Sequence, residues 1–262
     1  MLGSRVVTAA ILLAGFLFAL FFASSTAWRL LCLGVLAAAA WEWARLCRLR
    51  WWTATGFCLL CAVLTFWLTG EPPRVPWSQS VSAMVTVLWL LATPPWLWRR
   101  PATPDAVLAL AGAVVLPVAF ASLVTLRAAG SGLLLAVLCT IWISDTAAYF
   151  TGRWCGRRKL APAISPGKTW EGVWGALAAV LLYASAVSLA VPAVAGLPAG
   201  YFVAAAVALS LLGILGDLFE SQMKRRVGVK DSGRILPGHG GVLDRIDALL
   251  PVLPAACWLF GQ

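Results

Sequence analysis

The chain has 262 residues, of which 61% are hydrophobic and only 11% are charged, and its formal net charge is +10. Soluble proteins carry about a quarter charged residues, so this composition excludes an ordinary soluble domain. Apolar runs of about twenty residues recur along the chain, and each is long enough to cross a hydrocarbon core about 30 Å thick. We therefore expect an all-α, polytopic membrane protein, since the short alternating segments of a membrane β-barrel are not seen.

Nine candidate membrane spans follow one another along the chain, with prolines in several of the gaps. They cover residues 6–23, 28–44, 52–69, 80–98, 105–126, 131–150, 171–192, 200–220 and 242–260. The first resembles a signal peptide, but its apolar stretch is longer than a usual signal core, so we interpret it as a membrane helix. Pro94 and Pro95 are expected to kink the end of the fourth span.

The positive charges predict how the spans are oriented. If the N-terminus is cytoplasmic, 17 of the 20 Lys and Arg residues fall in cytoplasmic loops, and only Arg29, Arg74 and Arg127 fall on the other side. Because short cytoplasmic loops are enriched in Lys and Arg, we expect the N-terminus inside and the C-terminus outside.

The acidic residues divide the chain lengthwise, because seven of the ten lie between residues 145 and 247. We therefore predict that residues 1–130 are membrane spans that contact lipid or act as a scaffold. Residues 131–262 are predicted to form the catalytic membrane region, with two cytoplasmic loops at 151–170 and 221–241.

Four carboxylates stand near the predicted cytoplasmic ends of spans. A charged residue at the centre of a membrane helix costs about 2.5–3.5 kcal/mol, and less near the ends. Each acid could singly reach water or pair with an Arg, but four on one side of the membrane favour a site. The four are Asp145, Asp217, Asp244 and Asp247.

Spacing places some of these acids on common helix faces. Asp244 and Asp247 are three positions apart, and Asp217, Glu220 and Ser221 are related in the same way. Such clusters of hard oxygen ligands suit Mg²⁺. The sequence leaves open whether a second, monovalent cation takes part.

The segment SPGKTWEG, from Ser165 to Gly172, is predicted to begin a helix. Thr169 is a suitable N-cap, and Glu171 falls in the first turn. Lys168 comes just before this N-terminus, where backbone N–H groups can bind phosphate. The alternative is a basic loop that faces the membrane.

A second polar segment, from Lys224 to Asp247, holds six Lys or Arg residues, three acids and the single histidine of the chain, His239. Its five glycines permit close approach of the backbone to a ligand. The Lys and Arg side chains can bind phosphates, and the acidic side chains can bind a metal ion that bridges phosphates. The combination predicts a nucleoside triphosphate or another polyphosphate with Mg²⁺, because an anionic-lipid patch needs only Lys and Arg.

These residues also resemble a known family. The segment from Ser221 to Asp247 is similar to the signature of phosphatidate cytidylyltransferases (CDP-diacylglycerol synthases): S-x-apolar-K-R, four positions, K-D, a small residue, and later H-G-G-apolar-x-D-R-apolar-D. SPGKTWEG and the stretch D-T-A-A-Y-F-x-G-R, from Asp145 to Arg153, also resemble family blocks. The resemblance covers about residues 140–250; the first 130 residues match only in being several spans.

The resemblance implies an all-helical membrane enzyme that converts CTP and phosphatidic acid to CDP-diacylglycerol and pyrophosphate. It also implies Mg²⁺ dependence, a homodimer, and a metal site at Asp217, Asp244 and Asp247; we add Asp145 as a further candidate ligand. We expect the enzyme in the bacterial cytoplasmic (inner) membrane, with its active site and catalytic loops at the cytoplasmic interface, and we expect no nucleic acid partner.

The predicted site residues form two groups. The candidate catalytic residues are Asp217, Lys224, Arg225, Lys230, Asp231, His239, Asp244, Arg245 and Asp247. The candidate substrate- or phosphate-binding residues are Ser165, Lys168, Thr169, Glu171, Ser221, Gly240 and Gly241. The attacking phosphomonoester has a second pKa of about 6, so it needs no general base. We therefore interpret His239 as a phosphate or turn partner in preference to a proton acceptor.

Two alternatives remain open from the residues alone. A related CTP-dependent enzyme could act on another lipid, as a polyprenol kinase or an archaeol-type cytidylyltransferase does. A transporter with a nucleotide-sensing loop would favour broken helices and charges near the bilayer midplane. The acids of this chain lie near span ends, which disfavours transport.

Overall fold

The computed structural model describes residues 2–70, 75–190, 198, 200–235 and 240–261. Within these ranges the chain forms ten helices and one small sheet. The helices are α1 (Leu2–Phe22), α2 (Ser25–Leu46), α3 (Trp51–Leu68), α4 (Val75–Arg99), α5 (Asp105–Ala129), α6 (Ser131–Cys155), α7 (Trp170–Ala190), α8 (Tyr201–Arg226), α9 (Leu243–Ile246) and α10 (Leu249–Phe260). The strands are β1 (Lys159–Ala161) and β2 (Ser165–Thr169).

The prediction of an all-α, polytopic membrane protein is confirmed. Seven helices of the described chain, α2 to α8, are long and apolar enough to cross a membrane. They correspond to the second through eighth predicted spans. The described part of α1 contributes a shorter apolar helix, Leu13–Phe22. The helix α4 continues through Pro94 and Pro95 to Arg99.

Two helices extend beyond the ends that hydropathy predicts. The helix α6 continues to Cys155, and α8 continues to Arg226. Hydropathy marks the point where a chain leaves the apolar layer, whereas the hydrogen-bond ladder of a helix can continue through polar residues. The two predicted loops therefore begin later than residues 151 and 221.

The last predicted span, 242–260, is not one continuous helix. It divides into α9 and α10, and α10 has 12 residues, which gives a length of about 18 Å. Nine side chains of α10 are buried, and it packs against α4, α5 and α8. An apolar helix that is covered on most sides belongs to a protein core, so α10 is an internal helix that is by itself too short to span the bilayer.

A two-stranded antiparallel sheet, β1–β2, joins α6 to α7 and was not predicted. Lys159 pairs with Thr169, and Ala161 pairs with Ser165. The second strand leads directly into α7, so the hairpin fixes the direction in which Lys168 approaches the helix bundle.

The helices α6 and α7 pack closely because small residues line their contact. A Cβ atom added to Gly175 would overlap the Thr151 side chain, and one added to Gly172 would lie 2.9 Å from the Ala148 carbonyl oxygen. Small residues allow membrane helices to approach in this way. This contact holds the hairpin against the end of α6.

The charged loops meet at one end of the bundle, which we call the charged end. It holds the C-terminal ends of α2, α6 and α8, the hairpin and α9. Arg225 Nε donates to the Ile164 carbonyl at 3.3 Å, and Arg226 Nη2 lies 3.1 Å from Asp105 Oδ1. At the opposite end, Arg127 Nε donates to the Leu20 carbonyl at 2.9 Å.

Candidate active site

Two lysines at the charged end each pair with carboxylates. Lys168 of β2 lies 2.6 Å from Asp217 Oδ2 of α8. The hydroxyl of Ser221, one turn further along α8, donates to Asp217 Oδ1 at 3.3 Å. Asp145 of α6 lies within electrostatic range of both members of this pair. Three separate elements thus place Asp145, Lys168 and Asp217 together, as the sequence predicted for the two acids.

The second lysine, Lys224, bridges two carboxylates. Its ammonium lies 2.6 Å from Asp244 Oδ1 and also pairs with Glu220, one helical turn earlier on α8. Glu220 is fully buried, and its Oε1 atom accepts no hydrogen bond from the described residues. A buried carboxylate oxygen without a donor is costly unless a cation is near.

Asp244 is held by the backbone as well as by Lys224. Its carboxylate accepts hydrogen bonds from Ser232 N at 3.0 Å and from Gly241 N at 2.8 Å. Burial opposes ionisation, but the Lys224 ammonium and the Gly241 N–H outweigh it and lower the pKa of the Asp244 carboxyl. Gly240 supplies the required turn, with φ of 82°, a conformation that glycine adopts at little cost.

Asp247 has a different environment. Its Oδ1 atom accepts a hydrogen bond from Ala248 N at 2.8 Å. Burial, together with the charge of nearby Asp217, raises the pKa of the Asp247 carboxyl. Such a group favours a cation beside it, because a positive charge would offset both effects.

The donor chemistry of this cluster fits Mg²⁺. Five carboxylates, those of Asp145, Asp217, Glu220, Asp244 and Asp247, are accompanied by two lysines. Mg²⁺ prefers hard oxygen ligands, and the carboxylates here outnumber the lysines that could neutralise them. In the part of the chain that the structure describes, no three or more His, Cys, Asp or Glu side chains are placed to hold a metal ion together as they stand.

Several other predicted residues are engaged by the local backbone. Thr169 is the N-cap of α7, as predicted, because its hydroxyl accepts from Gly172 N at 3.1 Å. The Glu171 carboxylate accepts from Arg157 N at 3.0 Å. Arg225 donates to the carbonyls of Ile164 and Val229. These contacts brace the hairpin and the end of α8, and a phosphate role for these side chains stays a prediction.

The remaining predicted residues lie around the cluster. Lys230 and Asp231 are exposed on the wall of a polar cavity. Arg245 is exposed at the edge of a mostly apolar cavity of about 230 Å³. Ser165 begins β2. His239 lies outside the described residues, so its predicted role stays a prediction.

Sequence reasoning missed Glu42 of α2. This carboxylate is fully buried. It accepts hydrogen bonds from Val242 N at 3.1 Å, Leu243 N at 2.8 Å and the Ser232 hydroxyl at 2.9 Å. Glu42 therefore joins both sides of the segment that presents Asp244. The available signal was a lone acid in the apolar run LAAAAWEWARL, where a charge is costly unless it is satisfied.

Two glycines make room for this carboxylate. A Cβ atom added to Gly233 would overlap Glu42, and one added to Gly241 would lie 2.5 Å from Glu42 Oε2. Gly241 was predicted as a phosphate-binding residue. In the structure its N–H donates to Asp244, and its missing side chain admits Glu42.

The whole chain is similar to known enzymes. Residues 3–261 match the model of the cytidylyltransferase family. A phosphatidate cytidylyltransferase of Pseudomonas aeruginosa is 38% identical over 287 residues, covering 100% of this chain and 98% of that protein. One from Haemophilus influenzae is 34% identical, covering 97% and 96%. One from Brucella suis is 48% identical over 126 residues, covering 48% of this chain and 45% of that protein. The chain belongs to the cytidylyltransferase family.

Proposed function

We infer that this protein transfers the cytidylyl group of CTP to phosphatidic acid, giving CDP-diacylglycerol and pyrophosphate. The inference rests on the full-length similarity to two proteins named phosphatidate cytidylyltransferase. The observation that carries it is the pairing of Lys168, from the hairpin, with Asp217, one helical turn before the signature segment Ser221–Asp247, whose own Lys224 pairs with Asp244. A polyprenol kinase is not favoured by these relatives.

The reaction is chiefly a problem of charge. A phosphate oxygen of phosphatidic acid forms a bond to the α-phosphorus of CTP. The bond from that phosphorus to the bridging oxygen breaks, and pyrophosphate leaves with the electron pair. The nucleophile is already an anion, so catalysis depends on positioning and on neutralising phosphate charge. Lys168 and Lys224 would supply fixed positive charges close to the reacting groups.

We propose that Asp217, Asp244 and Asp247, with Asp145, hold Mg²⁺. The support is the excess of carboxylates over lysines and the raised pKa of Asp247. When bound, Mg²⁺ would neutralise phosphate oxygens in the transition state. The backbone N–H groups of Ser232 and Gly241 would keep the Asp244 carboxylate oriented both with and without bound Mg²⁺.

We also propose that the charged end faces the cytoplasm of a bacterial cell, where CTP is present, and that the acyl chains of the lipid remain in the bilayer. The positive-inside distribution supports this orientation. A homodimer is proposed from the family resemblance alone.

The test uses the full chain purified in detergent with phosphatidic acid, Mg²⁺ and CTP. CTP labelled at the α-phosphate should give a labelled, chloroform-soluble lipid, whereas CTP labelled at the γ-phosphate should not. The opposite pattern would identify a lipid kinase. No labelled lipid from either nucleotide, with folded protein, would overturn the proposed function.

A variant pair tests the site in the same assay. Asp244→Asn should abolish formation of labelled lipid, because it weakens the pair with Lys224 and removes a proposed metal ligand. Asp105→Asn makes the same chemical change at the charged end, outside the cluster, and should retain most activity. Equal activity in the two variants would contradict the assignment of Asp244.

A further inference from the structure

A polar cavity of about 660 Å³ opens at the charged end, between the end of α2 and the loop after α8. Its volume is within the range of small-molecule sites, about 300–1,000 Å³. Among the described residues, four cationic side chains line it, accompanied by one acid, Asp231. The four are Arg45, Arg48, Lys230 and Arg234, and all are exposed.

The charge of this cavity favours an anion with several negative charges. Like charges around a concave surface repel one another and focus a field that attracts counter-ions. The guanidinium groups of Arg45, Arg48 and Arg234 offer paired donors that match phosphate oxygens. Arg45 lies in the last turn of α2 and Arg48 follows two residues after its end, so both come from the N-terminal half of the chain.

The cavity adjoins the carboxylate–lysine cluster through one residue. Ser232 lines the cavity, its backbone N–H donates to Asp244, and its hydroxyl donates to Glu42. Glu42 precedes Arg45 by one helical turn on α2. The same helix therefore supports the start of α9, which carries Asp244, and supplies Arg45 to the cavity.

We propose that this cavity binds the terminal diphosphate part of the nucleoside triphosphate and retains it as the pyrophosphate leaving group. Arg45 and Arg48 are then phosphate-binding residues contributed by the N-terminal half. This inference rests on the proposed function, because it takes the adjoining cluster as the place where the α-phosphate is transferred. The phosphate headgroup of an anionic lipid shares the same chemistry and is the rival occupant.

Equilibrium dialysis of the full chain in detergent with radiolabelled inorganic pyrophosphate tests the proposal. The double variant Arg45→Gln/Arg48→Gln should bind pyrophosphate at least about tenfold more weakly, since each charge-assisted contact is lost. The control Arg99→Gln/Arg100→Gln removes the same charge from the exposed end of α4, away from the cavity, and should change affinity less than about twofold.

A second binding assay separates the two sources of phosphate. Wild type and the double variant are reconstituted into nanodiscs of phosphatidylcholine with and without phosphatidic acid. The binding of phosphatidic acid to the two proteins is then compared. Loss of phosphatidic acid binding with unchanged pyrophosphate affinity would overturn the proposal in favour of a headgroup site. Equal weakening of pyrophosphate binding in the two double variants would show that only the overall charge of the protein matters. That result would also overturn the proposal.

Two further results keep the proposal distinct from folding and from the proposed function. If the first variant unfolds, Arg234→Gln probes the cavity from the opposite wall and should also weaken pyrophosphate binding. If the wild type makes CDP-diacylglycerol but Arg45→Gln/Arg48→Gln binds pyrophosphate normally, only this inference fails. If the wild type makes none, the proposed function fails, whatever the dialysis shows.

Discussion

Single side chains in this protein carry more than one task because charge is scarce in an apolar chain. Lys224 forms ion pairs with both Glu220 and Asp244, and Lys168 forms an ion pair with Asp217. Removing one partner of a buried ion pair leaves an uncompensated charge, which is far more damaging than losing a surface pair. The lysines and the proposed cation therefore act on one shared set of carboxylates.

The proposed metal site predicts a ligand-dependent stability. Mg²⁺ should raise the free energy of unfolding of the wild type, by about 2.7 kcal/mol at a hundred times its dissociation constant. Asp217→Asn should lose most of this gain because a proposed ligand is removed. Denaturant unfolding in detergent, with and without Mg²⁺, measures this gain in the free energy of unfolding. Asp105→Asn is the matched control. A gain of the same size in both variants would place the cation elsewhere.

Replacing Glu42 is predicted to reduce both stability and activity. In Glu42→Gln, one carboxylate oxygen becomes an NH₂ group that faces backbone N–H donors. We expect the free energy of unfolding to fall by about 1–3 kcal/mol, with loss of cytidylyl transfer as the Asp244 loop shifts.

Glu171→Gln is the comparison for this variant, since Glu171 also accepts backbone N–H bonds but lies at the surface. Water can replace its lost hydrogen bond, so its unfolding should change little. Similar losses in the two variants, measured by denaturant unfolding, would show that burial of Glu42 is not the cause.

At the scale of elements, close helix contacts aim the hairpin at α8. The α6–α7 contact depends on Gly172 and Gly175, and the β2 strand leads straight into α7. The short α10 fills the space between α4, α5 and α8 below the charged end. The carboxylates and lysines are thus positioned by packing between elements that are distant along the chain.

The variant Gly175→Ala tests this packing. Its Cβ atom would overlap the Thr151 side chain, so we expect destabilisation of about 1–3 kcal/mol. Gly56→Ala, where a Cβ meets nothing within 4 Å, should instead stabilise α3 by up to about 1 kcal/mol. Thermal or denaturant unfolding of the two variants provides the comparison. If Gly175→Ala did not change the stability, the close contact between α6 and α7 would not be needed.

At the scale of the whole molecule, one end of the bundle is polar and holds the candidate site, and at the other end side chains donate hydrogen bonds to backbone carbonyls. Arg127 and Ser131 both donate to the Leu20 carbonyl, and the Tyr201 hydroxyl donates to the Leu259 carbonyl. The loops that the positive-inside rule assigned to one side do lie together. Which side of the membrane they face is a separate question.

The native cysteines allow that question to be answered. Cys155, at the charged end, is exposed, whereas the other six are buried or half-buried. A membrane-impermeant maleimide should label Cys155 in inside-out vesicles and leave it unlabelled in right-side-out vesicles. Cys155→Ser should remove the signal. Labelling only in right-side-out vesicles would reverse the proposed orientation.

The sequence by itself determined the membrane class, seven of the spans, the N-cap of α7 and the neighbourhood of Asp217 with Asp145. These properties depend on local hydropathy, on residue spacing and on the cost of charge in lipid. Only the tertiary structure decided that Glu42 meets Val242, 200 positions away, that the 242–260 segment breaks into α9 and a short internal helix, and that Arg45 and Arg48 line a cavity beside Ser232. Contacts at such distances depend on how the helices pack, and no periodicity within one segment records which other segment covers it.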